Sequence, residues 1–509
     1  MDRDLLEITI PTLESLYGAH RYSVTQVTRW YLDRIDRYNG VYRAILHIDR
    51  DGALATAAAE DAAATQGGPQ FTRSPLWGVP VVIKSNTSVK GLVTSEGWEG
   101  FLVPGHELVA PADATVVARL RAAGVVILGQ TNMPDFAASD TNISTAFGRT
   151  GNAYNWRFSP GGSSGGTVTS VAGNLALFGT GTDTANSIRM PAATSALVGM
   201  MPTRGLVSIA GIGPLDWLRD NTGPIARTVT DAAIALGVMA GEDPKDAKTV
   251  GSAAKAQPGP YTKYLDVGAL RGRRFGVPAF IVKEPGPGQP AGGNDLEAET
   301  RQVFLKALDG MRAAGATVIV DPEILPDSFS ELISKVNTRS YRREGTERFL
   351  RDFGPLQYRS PEAYQKAVGQ PLPATIIGAD DQRRLEDDPQ ADALFFGPQH
   401  AALAAYDAAL DHFTLDGFVY PGLQVPSVDE TAADAATGRS KGPHSNTGWV
   451  NRIGVPAIVV PGGYYANGLP FGLELSARGW KDGDLLGWAF AYEQATHHRR
   501  PPVLVEEQK

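Results

Sequence analysis

The sequence predicts an α/β fold: a large mixed, mostly parallel central β-sheet covered by helices on both faces. Three observations predict it. Short apolar runs rich in β-branched residues, such as "LWGVPVVIK" (76–84), recur between amphipathic helical patterns. The order helix, glycine, strand appears twice, in "ATVVARLRAAGVVILG" (114–129) and in "TRQVFLKALDGMRAAGATVIV" (300–320). The strand runs lack polar alternation, which places them in a sheet buried on both sides.

Along the chain, "SVTQVTRWYLDRIDRYN" (23–39) sets Val24, Val27, Tyr31, Leu32 and Ile35 at helical spacing behind Ser23, a hydroxyl N-cap. Residues 79–83 form a buried strand that ends at Lys84. The next helix stops at Gly124 and passes into a strand over 125–128. Further strands are expected at 274–282, 417–420, 456–460 and 471–475. Three segments read as loops: the Pro/Gly-rich 284–295, the charged 378–392, and 429–444, the last expected to be mobile. There are no repeats, and no linker separates autonomous domains.

The chain has 509 residues, 42% hydrophobic and 20% charged, and a formal net charge of −8. That charge argues against general binding to nucleic acid or to an anionic membrane. The absence of cysteine excludes disulfides, thiolate metal sites and a cysteine nucleophile. The opening "MDRDLLEITIPTLESLYGAH" carries early acids and no long apolar run, unlike a signal peptide. No segment approaches the ~20 apolar residues of a membrane span. The expectation is a soluble, cytoplasmic protein.

The densest cluster of glycines and hydroxyls is "SPGGSSGGTVTSVAGNLALFGTGTDTANSIRMPA" (159–192). Four readings compete for it. It can be a surface loop followed by a small-residue helix. It can be a glycine-lined anion cradle at a helix start, although neither GxxxxGK[ST] nor GxGxxG is present. Gly161–Gly165 satisfies G-x-S-x-G, as does the frame centred on Ser164, but a nucleophile elbow needs a strand immediately before it and "YNWRFSP" supplies none. The histidines that follow are His400, His412, His444, His497 and His498, and only His444 has a loop setting suited to a triad. The fourth reading pairs a serine nucleophile with a lysine base, since burial can lower a lysine pKa until the neutral amine is populated. Lys84, ending an apolar strand, is the candidate.

The ordered set "GVPVVIKSN" around Lys84, "GQTNMPDFA" (129–137), "SPGGSSGG" (159–166), "GTDTANSIRMPA" (181–192) and "GMMPTRGLVS" (199–208) resembles the amidase signature family. "GPIARTVTDAA" (223–233) and "IGVPAIVVPGG…GLPFGLEL" extend the resemblance over most of the chain, weakest between about 240 and 440. It implies a Ser–cis-Ser–Lys triad: Ser187 as nucleophile, Ser163 as the bridging serine after a cis Gly162–Ser163 bond, and Lys84 as base. The 24-residue interval to Ser187 selects Ser163 over its neighbour Ser164. The resemblance further implies an oxyanion hole from the backbone N–H groups of Thr184, Ala185, Asn186 and Ser187, with Asp183 and Arg189 supporting the loop. It implies one domain over 1–509, with a catalytic core of about 70–235 and a divergent, substrate-side inserted region of about 285–440. No metal or organic cofactor is implied. One departure stands out: Ala185-Asn186 replaces the Gly-Gly that most members carry before the nucleophile, which bears on substrate range and on the oxyanion donors.

The leading expectation is a hydrolase of amide C–N bonds, extending to anilides, esters and carbamates (urethanes), as in aryl acylamidases and urethane-cleaving enzymes. The substrate would be a small, rather apolar molecule and the protein a monomer or homodimer. A second expectation is the glutaminase-type component of a tRNA-dependent amidotransferase, which would need partner subunits. A third, non-enzymatic one is a small-molecule or anion-binding module.

Overall fold

Eleven strands form one sheet in the computed structural model, which describes residues 1–68, 71–286, 294–378, 383–432 and 445–506. They are β1 (Ile45–Ile48), β2 (Pro80–Lys84), β3 (Val126–Thr131), β4 (Phe178–Asp183), β5 (Val198–Met201), β6 (Asn221–Ala226), β7 (Arg274–Val277), β8 (Thr317–Val320), β9 (Gly417–Pro421), β10 (Ala457–Tyr464) and β11 (Pro470–Ala477). Their spatial order is β1-β3-β2-β4-β6-β5-β10-β11-β9-β7-β8. Parallel pairings make two blocks, β3-β2-β4 and β9-β7-β8, and antiparallel pairings join them through the middle of the sheet. This is the large mixed sheet expected from the sequence.

Every residue of β2, β3, β4, β6 and β11 is buried. Successive side chains of a strand point to opposite faces, so helices cover both. Val81, Val82, Ile83, Phe178, Ile225, Leu473 and Leu475 lie in one continuous core with the apolar faces of the helices Val24–Tyr42, Val229–Met239 and Asp482–Thr496. The first of these helices is capped as expected: Ser23 Oγ accepts from the Gln26 N–H while the Gln26 side chain accepts from the Ser23 N–H.

Some boundaries move. The strand expected over 274–282 ends at Val277, because Pro278 has no N–H for the ladder and a short 3-10 turn, Ala279–Ile281, follows. β3 and β10 run longer than expected, through Thr131 and Tyr464. The 285–440 stretch adds β8 and β9 to the sheet rather than standing outside it. The amphipathic helix Ala298–Ala313 returns the chain to lie parallel beside β7. Of the three expected loops, residues 287–293, 379–382 and 433–444 lie outside the described residues, and His444 and the mobility expected of 429–444 with them. Asp429 bridges to Phe158, and the charged segment contains a 3-10 turn, Leu385–Asp387.

Candidate active site

Strands β2 and β4 run parallel and adjacent, so their carboxyl ends open at the same edge of the core. Ligands of open α/β sheets gather at such ends. Lys84 closes β2, and Thr182 and Asp183 close β4. Between them the chain from Ser159 descends and starts the helix Gly165–Ala172 directly after Ser164. Glycine is required on this path. Gly161 has φ +75°, and a Cβ on Gly166 would lie 2.4 Å from the Asn132 carbonyl oxygen. The Gly162–Ser163 peptide is cis.

Lys84 is fully buried and its Nζ meets three hydroxyls: Ser163 Oγ at 2.7 Å, Thr182 Oγ1 at 2.8 Å and Ser164 Oγ at 3.1 Å. It forms no ion pair among the described residues. Three hydroxyls can satisfy the amine in either protonation state, since a hydroxyl accepts from an N–H or donates to a lone pair. Burial lowers the Lys84 pKa to about 7, against the opposing pull of Asp183 and Asp220.

Ser187 lies on the loop that leaves β4. Its carbonyl accepts from the Ser164 N–H at 3.2 Å, so the two segments adjoin. The structure therefore brings Lys84 and Ser163 into contact and places Ser187 beside them. It does not join the Ser163 and Ser187 side chains, and the Ser187 hydroxyl makes no hydrogen bond among the described residues. Ser187 keeps 6% of its surface accessible, whereas Ser163 and Ser164 keep none. No histidine bonds to any of these serines among the described residues.

The loop Thr184–Ser187 is held by its carbonyls and side chains. Arg219 Nη2 donates to the Thr184 carbonyl at 2.7 Å, Thr184 Oγ1 donates to Asp220 at 2.5 Å, and Arg189 Nη2 donates to the Ala185 carbonyl. None of the N–H groups of Thr184, Ala185, Asn186 and Ser187 donates a hydrogen bond among the described residues, whereas that of Ile188 donates to Asp183 at 3.1 Å. Buried backbone donors are rarely left unpaired. Neither Ala185 nor Asn186 has positive φ, so the loop does not need glycine at these positions. The Ala185 methyl packs over Gly448, and Asn186 Nδ2 donates to the Ser445 carbonyl at 3.3 Å.

Beneath the loop, Arg189 is fully buried between Asp183 (Nε to Oδ2, 3.1 Å) and Glu474, and also donates to Thr447. The carboxylates hold the guanidinium charged, its pKa raised against the effect of burial. Burial pushes Glu474 up to about 7, with Arg189 opposing. Asn451 Nδ2 donates to the Asp183 carbonyl at 2.9 Å. The sequence reading missed Thr182, Arg219, Asp220, Asn451 and Glu474. Only Glu474 carried a visible signal, as a lone acid inside the apolar run "FGLELSA".

A buried amine ringed by hydroxyls, at the carboxyl end of a parallel strand and beside a loop whose N–H groups are unpaired among the described residues, is a set of groups suited to acyl transfer. The amidase family model matches residues 26–486, and the chain belongs to that family, the amidase signature proteins. It is 33% identical to the A component of the glutamyl-tRNA(Gln) amidotransferase of Thermosynechococcus vestitus, over 95% of this chain and 97% of that one. It is 30% identical to the protein of the same name from Acinetobacter baylyi, over 99% of each chain. The native peptide amidase of Stenotrophomonas maltophilia superposes with a TM-score of 0.80 at 31% identity, covering 98% of this chain and 99% of that one. A bacterial aryl acylamidase of the same family shares the fold, with a TM-score of 0.74 at 24% identity over 96% of each chain. No described helix is long and apolar enough to cross a membrane.

Proposed function

We propose that the protein, as a member of this family of enzymes acting on carbon–nitrogen bonds, hydrolyses a carboxamide through an acyl-enzyme on Ser187, with Ser163 as relay and Lys84 as base. The Ser187 Oγ attacks the carbonyl carbon, its proton passes to Ser163, and the Ser163 proton passes to the Lys84 lone pair. The carbonyl π electrons move to oxygen, and the N–H groups of Thr184, Ala185, Asn186 and Ser187 receive that charge. The C–N bond then breaks, and the proton returns from Lys84 through Ser163 to the leaving nitrogen. Water repeats the sequence on acyl-Ser187 and releases the acid. The Ser187 hydroxyl, which makes no hydrogen bond among the described residues, is free to rotate about the Cα–Cβ bond toward Ser163.

The observation that carries the reading is the contact of uncharged-prone Lys84 with Ser163 inside a shell of hydroxyls. Asp183 and Arg189 act by fixing the loop. The substrate is a small-molecule amide, with anilides, esters and carbamates open to the same acyl transfer. No step calls on a cofactor. A second reading, as the glutaminase-type component of an amidotransferase, is favoured by the curated relatives of nearly equal length. The purified protein tests both. Product release from peptide-type amides, anilides or carbamates, lost in Ser187→Ala, supports the hydrolase. Ammonia from glutamine alone supports the amidotransferase component. Full activity in Ser187→Ala overturns both.

A further inference from the structure

After the last helix the sequence reads "HHRRPP" (497–502), a run of basic side chains that the amide chemistry does not use. Arg499 turns inward and donates to Glu7, through Nε at 2.7 Å and Nη2 at 2.9 Å. His498 and Arg500, on either side of it, line a cavity of about 290 Å³ together with Lys306 of the helix Ala298–Ala313. Strand β10 closes the cavity with Gly462, Gly463 and Tyr464. The strand bulges there, its register shifting between Pro461 and Gly463. Gly463 has φ +148°, and a Cβ on it would meet Val303 Cγ1 at 3.2 Å, so glycine keeps this wall bare.

The cavity gathers basic groups and no acid. No carboxylate lines it, and the side chains of Lys306, His498 and Arg500 make no hydrogen bond or ion pair among the described residues. The carboxylates on neighbouring turns are engaged elsewhere. Glu7 holds Arg499, Asp309 accepts from Arg312 at 2.9 Å, and Glu299 accepts from the Ala466 N–H at 2.8 Å. Burial lowers the pKa of half-buried His498, and Lys306 and Arg500 lower it further, with no acid opposing them. Arg500 is nonetheless fixed in place. Its N–H donates to Tyr464 Oη at 2.8 Å, its carbonyl accepts from Tyr154 Oη, and its guanidinium lies 5.0 Å from the centre of the Tyr464 ring.

We propose that this cavity binds a phosphate group, either free or as the terminal group of a small phosphate monoester. The site is separate from the triad and does not depend on the amide-hydrolase reading. Arg500 offers N–H donors in a planar fork, Lys306 a flexible ammonium and His498 a ring N–H, which together match the several oxygens of a phosphate. A doubly charged anion offsets the repulsion among these groups, which a single carboxylate does only in part. The volume, about 290 Å³, lies at the lower end of ligand pockets and leaves room for a phosphate with a short chain.

The probes are inorganic phosphate, glycerol 3-phosphate and, as a singly charged control, acetate, titrated calorimetrically into the full chain at constant ionic strength. Both phosphates are expected to bind saturably, and acetate at least about tenfold more weakly. Lys306→Ala and Arg500→Ala, which remove side chains without partners in the fold, should each weaken phosphate about tenfold. The bound dianion should also raise the His498 pKa, read from the NMR titration of its ring protons and assigned with His498→Gln, while His400 and His412 keep theirs. Tighter binding of glycerol 3-phosphate assigns the cavity to a monoester, and tighter binding of inorganic phosphate assigns it to the free anion. The proposal is overturned by no saturable binding of either phosphate, by acetate binding as tightly, or by parent affinity in both alanine variants. A His498 titration that phosphate leaves unmoved overturns it as well.

Discussion

Lys84 Nζ and Ser163 Oγ lie 2.7 Å apart, although 79 positions separate them in the chain. Strand β2 delivers the amine, the glycine turn delivers the hydroxyl, and Thr182 and Ser164 complete the amine's hydrogen bonding. No carboxylate among the described residues is bonded to the amine, so burial dominates and the neutral form is accessible near neutrality.

The first prediction concerns pH. The base is active only when deprotonated, and burial lowers the Lys84 pKa to about 7. Below that pH the nitrogen holds an extra proton and has no lone pair to offer. kcat/KM is therefore expected to rise with pH through an apparent pKa near 7 and to level off above it. A profile that is flat or falling between pH 5.5 and 9 contradicts the role. Lys84→Met should lower kcat/KM by about 10²–10⁴-fold, the usual weight of general base catalysis.

The two adjacent serines separate by role. Both contact Lys84, but the Ser164 hydroxyl also lies 3.4 Å from the Thr182 carbonyl and its N–H is committed to Ser187 O. Ser163→Ala is expected to lower kcat by about 10²-fold or more, through loss of the proton relay. Ser164→Ala should stay within about tenfold of the parent. Steady-state kinetics on one amide decide it, and equal losses at the two positions would remove the case for a relay at Ser163.

Much of this site was legible in the sequence because its parts are short and local. Lys84 ends an apolar run, glycines crowd a serine pair, and the Ser187 loop follows a strand. What holds these parts in place was not legible. Arg189 is clamped by Glu474, 285 positions away, and Asp183 by Asn451, 268 away. Such pairings depend on which strands become neighbours in an eleven-stranded sheet, and no local pattern encodes that order. The strand at 274 was overextended for a related reason. Beyond Pro278 its apolar residues serve helix packing, and hydrophobicity alone does not distinguish the two uses.

The buried Asp183–Arg189–Glu474 cluster sets a stability prediction. Removing one member strands the others as buried charges without a partner, which typically costs about 3–5 kcal/mol. Arg189→Met should lower the denaturant midpoint accordingly. Arg189→Lys should also destabilise, because one ammonium cannot replace donors that reach Asp183, Glu474, Thr447 and the Ala185 carbonyl together. An unchanged unfolding midpoint in both variants would contradict the account of the loop's support.

Asp220 gives a prediction that links the loop to the base. Its carboxyl accepts from Thr184 Oγ1, and its negative charge raises the Lys84 pKa against burial. Burial, with Asp216 beside it, pushes Asp220 itself up to about 6, so its charge appears just below the pH at which Lys84 loses its proton. In Asp220→Asn the amide oxygen still accepts from Thr184, while the charge is gone. One influence holding the Lys84 proton is then absent, and Asp183 remains as the other. The pH profile of kcat/KM is therefore expected to shift toward acid, with its alkaline plateau little changed. A shift toward alkali, or a collapsed plateau with the pH dependence unmoved, would show that Asp220 serves the loop and not the base.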